Sequence, residues 1–460
     1  MKKFDAIIIG SGQGGTPLAK ALAKAKWKTA LIEKEFAGGT CINYGCTPTK
    51  TIISCAKTAY NVKHAKEWGI NAVKPEADIK AIMKFKNRIV NESRNGLYDG
   101  LTSTPHLTYI EGEARFTGFK ELSVALNKGG TMQLKAEKIF LDVGTSPAIP
   151  AIDGLDKIDY YTSQSLLDLK EIPESLIIIG GSYIALEFGQ AYSRFGSKVT
   201  MLERSKDFLP REDRDIALCM QQILEAENIN IRTGVDLSGV KKSGRKISVA
   251  FTADNKTFAL SATHLLVATG RKPNTKNLGL ENTNVATDER GFIKVNDKLE
   301  TSANGIYAIG DVTGEPQFTH ISYNDYIILK ENLLNGQNNS TQNRQVPYCM
   351  FTDPQLARIG ISEAEARKQK LNYKVATLSM KHVARARETN HTKGMMKAVV
   401  DADTKQILGA AIIGEEAGET IAALQMAMIG KIPYTQLAEM IIAHPTYTES
   451  INNLFLPLIK

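Results

Sequence analysis

Phe4-Asp5-Ala6-Ile7-Ile8-Ile9-Gly10-Ser11-Gly12-Gln13-Gly14-Gly15 is an apolar, β-branched run that stops in a cluster of glycines. Such a run reads as a buried strand. The residues after it, Pro17 to Ala25, have helical spacing, and a second strand, Trp27 to Ile32, ends at Glu33. Strand, glycine turn, helix, strand and acid is the order in which a chain builds a dinucleotide site. The glycines (Gly10, Gly12, Gly14, Gly15) let the backbone approach a pyrophosphate. The helix N-terminus holds its charge, and Glu33 accepts hydrogen bonds from a ribose diol. The glycines alone are a weak signal; the flanking strands and the acid make it specific.

The order recurs. Ser175 to Ile179 is a strand, followed by Gly180-Gly181-Ser182-Tyr183-Ile184-Ala185, a helix through Phe195, a strand Lys198 to Leu202, and Glu203. Each acid stands 23 positions after the first glycine of its turn (10 to 33, 180 to 203). Two units imply two bound nucleotides, the alternative being α/β domains whose turns bind nothing. Ser182 and Ala185 replace fingerprint glycines, so the second turn is tighter. A carboxylate at 203 hydrogen-bonds a free 2′-hydroxyl and repels a 2′-phosphate. That favours NADH over NADPH, with Arg204 beside it softening the preference.

The 460 residues correspond to about three domains, or to a large two-domain protein, at ~150 residues each. A 43% hydrophobic and 23% charged composition suits a packed core and excludes wholesale disorder. No apolar run approaches the ~20 residues of a membrane span. The run after Lys2-Lys3 is short and ends in glycines, so it reads as a strand and not a secretory signal. A soluble, cytoplasmic protein is expected. The net charge of +8 comes from 57 basic against 49 acidic residues. The basic residues are scattered, which argues against a nucleic-acid or membrane partner and suits phosphate-bearing cofactors.

Five cysteines in this length are too few for a disulfide scaffold. Two are close together, Cys41-Ile42-Asn43-Tyr44-Gly45-Cys46. No further Cys or His pair supplies zinc-like spacing, so no metal site is expected. In a reducing cytosol such a pair reads as redox chemistry; two buried structural cysteines in a helix remain the alternative. Five residues of ideal helix rise ~7.5 Å, beyond the Cα separation of a disulfide. The segment must therefore leave regular helix if the sulfurs are to meet, and Gly45 and Pro48 permit that.

Farther along, residues 51–100 read as long helices and Leu107 to Glu137 as short strands with Gly129-Gly130 at a turn. Leu265 to Arg271 and Gly305 to Asp311 read as short strands. Asn335 to Asn343 is a polar linker. Strands near 346–352, 373–379, 395–400 and 407–412, alternating with helices, suggest an α+β C-terminal domain. It ends in His444-Pro445-Thr446-Tyr447-Thr448-Glu449, where His444 and Glu449 suit an ordered acid–base pair or a plain surface histidine. Cys349, Met395 and Met396 are soft donors that core packing also explains. Arg385 and Arg387 suit an anionic substrate or a solvated face.

Gly38-Gly39-Thr40-Cys41-Ile42-Asn43-Tyr44-Gly45-Cys46-Thr47-Pro48-Thr49-Lys50 resembles the active-site segment of the flavoprotein disulfide reductases. The resemblance runs through the chain in order: both fingerprints, the second with Tyr183-Ile184-Ala185-Leu186-Glu187, then Ala268-Thr269-Gly270-Arg271, Gly310-Asp311 and the His-Pro-Thr tail. Within the group it is similar to the mercuric-reductase-like branch linked to reactive-chlorine resistance and copper(II) reduction, through Phe208 to Ala217, Gly310 to Gly314 and Glu449 to Phe455. Phe455 to Lys460 lacks the C-terminal cysteine pair of true mercuric reductases. A lipoamide dehydrogenase would typically carry a second His where Ile442 stands.

The resemblance implies an α/β fold with two Rossmann-like domains and a C-terminal α+β dimerisation domain. FAD would occupy 1–148 with 272–338, NAD(P)H 149–271, and residues 343–460 would form a homodimer with a shared active site. It implies FAD contacts from Gly39, Thr40, Lys50, Glu113, Ala114, Gly144, Thr145, Arg271, Gly310 and Asp311, and nicotinamide-nucleotide contacts from Gly180 to Ile184, Glu187, Glu203, Arg204 and Gly270. Cys46 would be the flavin-proximal thiolate, Cys41 the interchange thiol, Lys50 the partner of Glu187, and His444 with Glu449 the acid–base pair. The function implied is electron transfer from NADH, with NADPH possible, through the Cys41–Cys46 disulfide to a metal ion or small oxidant. Dihydrolipoamide dehydrogenase and a flavin redox sensor without turnover are the alternatives.

Overall fold

The computed structural model describes residues 1–73, 76–314 and 316–459, in two compact units. The first comprises Met1–Thr51, Lys80–Ala148 and Gly270–Arg344. Its central strand is β1 (Lys2–Ile9). Ile7 and Ile9 enter one apolar core and Ala6 and Ile8 another, so β1 is buried on both faces. That is why it reads as a continuous apolar run and not as an alternation. β1 pairs in parallel with β2 (Thr29–Glu33) on one side and with Thr131–Leu141 on the other. β2 also pairs with β3 (Leu107–Gly118), which turns back into β4 (Glu121–Leu126); β4 then pairs antiparallel with Thr131–Leu141, which is β5. The strand Ile306–Ala308 joins β5 in parallel, bringing Gly310 and Asp311 to the end of the sheet where Gly10 lies. Helix α1 (Gly15–Lys24) buries Leu18, Ala19 and Leu22 against Ala6 and Ile8. Three further helices follow in sequence, α2 (Gly39–Asn43), α3 (Cys46–Lys63) and α4 (Ile79–Thr102).

The second unit comprises Ile52–Ile79, Ile149–Thr269 and Gln345–Lys460. Ser175–Ile179 pairs in parallel with Lys198–Leu202 and His264–Val267, and Asn230–Arg232 and Tyr161–Thr162 form the edges. The second glycine turn leads into α5 (Tyr183–Phe195), and α6 (Arg214–Ala226) precedes the edge strand. The C-terminal part is a five-stranded antiparallel sheet, in spatial order Tyr348–Met350, Gln355–Gly360, Ile407–Gly414, Met395–Asp401, Tyr373–Ser379. Helices Ala417–Ile429 and Ser450–Phe455 share its apolar core. Among the described residues no helix is long and apolar enough to cross a membrane.

Four local expectations change. The strand read as Leu265 to Arg271 stops at Val267, because Gly270 takes a left-handed φ of +127°. Arg271–Pro273 instead pairs antiparallel with Thr145–Pro147 in the first unit. The strand Gln355–Gly360 is additional; Met395–Asp401 and Ile407–Gly414 form a hairpin with no helix between them. An antiparallel sheet of Asp236–Ser243, Lys246–Ala253 and Lys256–Ala262 also inserts before His264.

Candidate active site

The first glycine turn is shaped by what cannot fit beside it. Gly10 has a φ of +102°, and a Cβ there would fall 2.2 Å from the carbonyl oxygen of Asp142. Gly14 lies against Ile309 and the Ser322 carbonyl, at 2.8 and 2.9 Å from an added Cβ. Glu33 is 9% exposed. Its Oε2 accepts from the Ser11 N–H (2.9 Å) and hydroxyl (2.7 Å), and its Oε1 from the Glu35 N–H (2.9 Å). α1 has no acid in its first turn and no side-chain cap from Gly14; the Gly15 N–H donates to Asp142 Oδ2 (2.7 Å) and the Thr16 N–H to the Gly12 carbonyl (3.1 Å), and the positive end of the helix dipole faces the turn. This glycine cradle at a helix N-terminus, with an acid anchored at the end of β2, fits the diphosphate and ribose of FAD.

Other expected flavin contacts gather at the same end of the sheet. Arg271 donates from Nε to the Thr145 hydroxyl (2.6 Å) and from Nη2 to its carbonyl (2.7 Å). The Thr145 hydroxyl donates to Asp311 Oδ2 at 2.9 Å. Gly310, at φ +69°, donates its N–H to the buried Asp325 (2.8 Å), which Arg344 also holds (2.6 Å). Gly144 has a φ of +62° and open space where a side chain would be. Glu113 and Ala114 lie in the β3–β4 ladder opposite Ala125 and Val124; Glu113 is exposed and Ala114 belongs to an apolar core.

The cysteines sit on either side of a helix break. α2 ends at Asn43, Tyr44 leaves helical geometry (φ −140°, ψ 5°), and α3 begins at Cys46. A Cβ on Gly45 would stand 2.9 Å from the Thr40 carbonyl and 3.4 Å from Cys41 Cα. Glycine is what lets the chain fold back so closely. Both cysteines are unbridged, and their side chains are in hydrogen-bond contact. That bond pushes the Cys41 thiol far up, with burial and the charge on Cys46 adding to the rise; the Thr319 hydroxyl and Lys50 pull the other way. Cys46 Sγ lies 3.4 Å from the Thr319 hydroxyl.

The segment is tied to the glycine turn. The Gly38 N–H donates to the Ser11 hydroxyl (3.1 Å), and a Cβ on Gly39 would fall 2.9 Å from Gly12 Cα. Asn43 is buried and donates to the Ala37 and Gly39 carbonyls (3.0 and 2.9 Å). It accepts from Arg94 Nε at 2.8 Å. The sequence reading passed over Asn43, Arg94 and Thr319. Arg94 and Thr319 come from distant helices and leave no local pattern.

In the second unit Gly180 (φ +116°) repeats the role of Gly10, its added Cβ falling 2.4 Å from the Ala268 carbonyl. Glu203 Oε1 accepts the Ser205 N–H at 2.7 Å, while Oε2 lies 2.8 Å from a Cβ built on Gly181. The acid therefore stands beside the turn, with Arg204 exposed next to it. Ser182 is the N-cap of α5 without a side-chain cap bond, and Tyr183 and Ile184 open that helix. Glu187, 2% exposed on α5, accepts the Phe351 N–H at 2.9 Å.

His444 and Glu449 form the expected pair, with Nδ1 2.9 Å from each carboxylate oxygen. Thr446 closes the turn by donating to the Ala443 carbonyl (3.0 Å) and accepting the Glu449 N–H (3.1 Å). A carboxylate on Nδ1 fixes the tautomer and leaves Nε2 as the basic nitrogen. The His444 side chain is 65% exposed.

Residues 4–325 match the family model for pyridine nucleotide-disulphide oxidoreductases, and residues 346–455 match that family's dimerisation domain. The chain belongs to this family of enzymes, whose cofactors are FAD and NAD(P)H. It is 39% identical over 459 residues to the probable pyridine nucleotide-disulfide oxidoreductase RclA of Escherichia coli K12, covering 99% of each chain. A mercuric reductase of Streptomyces lividans is 33% identical (97% of this chain, 94% of the other). A dihydrolipoyl dehydrogenase of Thermus scotoductus is 35% identical (98% and 96%). Among solved structures, the Cu(II) complex of the HOCl-induced flavoprotein disulfide reductase RclA superposes with a TM-score of 0.92 at 38% identity, covering 100% of each chain.

Proposed function

We propose that the protein uses NADH to reduce a metal ion, copper(II) or mercury(II), or a small oxidant, at the Cys41–Cys46 pair. The observation that carries this is the pair of mutually hydrogen-bonded sulfurs at the break between α2 and α3, with Lys50 and Thr319 acting on them. FAD, when bound, supplies the two-electron relay between nicotinamide and dithiol. The glycine turn, Glu33, Thr145, Arg271 and Asp311 would hold it.

Cys46 acts as the flavin-side thiolate and Cys41 as the thiol that meets the acceptor. Lys50 stabilises thiolate in partnership with Glu187. His444 moves the Cys41 proton from the second protomer of a homodimer with a shared site, oriented by Glu449. The position of Glu203 beside the second turn supports NADH over NADPH. The family match over 346–455 supports the dimer and dimerisation by 343–460. The unit boundaries at 148/149 and 269/270 support FAD binding by 1–148 with 272–338 and NADH binding by 149–271, with Ile52–Ile79 falling in the second unit. A close cysteine pair with redox chemistry suits the reducing cytoplasm. The likeness to RclA and to mercuric reductases supports a metal-ion acceptor.

The test is anaerobic NADH titration of the flavoprotein, then reoxidation by copper(II), mercury(II), lipoamide, glutathione disulfide or oxygen. Fast reoxidation by a metal ion, lost in Cys41→Ser, supports the reading. Dihydrolipoamide turnover with NAD would favour the dehydrogenase reading, to which the Thermus relative lends weight. The intact cysteine pair, Lys50 and the ordered His444–Glu449 pair argue against a sensor that never turns over.

A further inference from the structure

The two glycine turns are near copies. In the first, the Gly10 N–H donates to the Ile32 carbonyl and the Asp142 N–H to Ile9, both at 2.8 Å. In the second, Gly180 donates to Leu202 (2.9 Å) and Ala268 to Ile179 (2.8 Å). Asp142 and Ala268 therefore hold the same position, and the first turn carries a carboxyl where the second carries a methyl. A Cβ at Gly12 would lie 2.6 Å from Asp142 Oδ2, and one at Gly15 2.7 Å. The matching residues beside Ala268 are Ser182 and Ala185, which both have a Cβ. The Asp142 carboxyl fills the space that two missing side-chain carbons leave.

It also takes part in the site. The Gly15 N–H donates to Oδ2 at 2.7 Å. That N–H belongs to the first turn of α1, the positive end that dinucleotide turns offer to a diphosphate. The charged groups facing Asp142 are Asp311 after the strand Ile306–Ala308, Glu33 on β2 and Asp325 on the helix Thr319–Leu334. Arg344 answers Asp325 at 2.6 Å, and Arg271 lies 3.8 Å from Asp311. Burial pushes the Asp142 carboxyl well above the usual carboxylate range; the Gly15 N–H opposes that, and the three carboxylates add to it.

We propose that Asp142 is a positioning residue of the flavin site that couples flavin retention to pH: as a neutral acid it props the glycine turn for the diphosphate, and its ionisation puts a second negative charge at the same helix end. The sign follows directly. Retention is strongest at low pH and falls as the carboxyl ionises. This goes beyond the choice of acceptor and stands whether the acceptor is a metal ion or lipoamide.

The test dialyses holoenzyme against limiting FAD over the whole pH range in which it stays folded and measures retained flavin by absorbance, for wild type, Asp142→Asn and Asp142→Ala. Wild-type affinity should weaken toward about tenfold per pH unit, the limit for one ionising group. Both variants should be flat across the range. Infrared spectra of the wild-type holoenzyme should show a buried carboxylic acid C=O band that fades over the same pH range. A flat wild-type profile, or a slope that survives in Asp142→Asn, overturns the proposal. If neither variant folds, the wild-type slope and its coincidence with loss of the infrared band support it. A slope without that coincidence overturns it.

Discussion

His444 presents Nδ1 to both carboxylate oxygens of Glu449 at 2.9 Å, in a turn that Thr446 closes from within. The imidazole is thus oriented before any substrate arrives. His444→Gln should lower acceptor turnover by about 10²–10⁴-fold, the usual worth of a positioned acid–base group. Glu449→Gln should cost less, about 10–100-fold, because the base is kept and only its tautomer and orientation are lost. Flavin absorbance should be unchanged in both. Steady-state kinetics across pH check this; equal losses in the two variants would contradict the ranking.

Cys41 should be a poor nucleophile by itself. Its bond to Cys46, its burial and the neighbouring charge hold the thiol up, so it stays protonated as pH rises through the ordinary thiol range. In reduced enzyme, alkylation of Cys41 by iodoacetamide should be slow near pH 8 and climb with further alkali. Cys46→Ala removes the hydrogen bond from the second sulfur and should quicken alkylation at pH 8 by about tenfold, the effect of one pK unit. Mass spectrometry of the labelled peptide reads the rate.

Glu203 should govern the choice of nicotinamide. Removing the carboxylate in Glu203→Ala should lower the ratio of kcat/KM for NADH over NADPH by about 10–100-fold, about 1.4–2.8 kcal/mol of lost discrimination. An unchanged ratio would place the 2′ position elsewhere.

Arg194 is 5% exposed and bridges Glu227 (2.8 Å) and Asp353 (2.6 Å) within the second unit. Burial raises Asp353, but Arg194 and Lys57 outweigh it and leave the carboxyl below its usual value. A depressed carboxylate adds stability that is present above its unfolded pKa near 4 and is lost as pH falls through the lower folded value. Arg194→Leu leaves Glu227 without its buried cation and Asp353 with Lys57 alone, and should cost about 3–5 kcal/mol. Thermal unfolding at pH 7 should show the loss, and the gap to wild type should narrow as pH falls below about 4.

Much of this fold was legible because it is encoded locally. Each glycine turn, with its strands and acid, lies within one short stretch, and the cysteine segment announced its own helix break through Gly45. His444 and Glu449 are five positions apart and were visible as a pair. What escaped depends on partners distant in sequence. Arg194 and Asp353 are separated by 159 residues, Cys46 and Thr319 by 273. Gln355–Gly360 mixes polar and apolar residues, and its place between Tyr348–Met350 and Ile407–Gly414 is set by tertiary pairing that no local period reveals. Asp142 belongs to no local motif. Its significance emerges only when the two turns are laid over each other.

Gly39 touches Gly12 with no side chain between them, and Gly38 is tethered to the hydroxyl of Ser11. The helix bearing Cys41 therefore rides on the loop shaped for the cofactor and cannot keep its place if that loop relaxes. Any change that distorts the glycine loop would shift the sulfurs with it, so the geometry of the dithiol is tied to residues about thirty positions away in the chain.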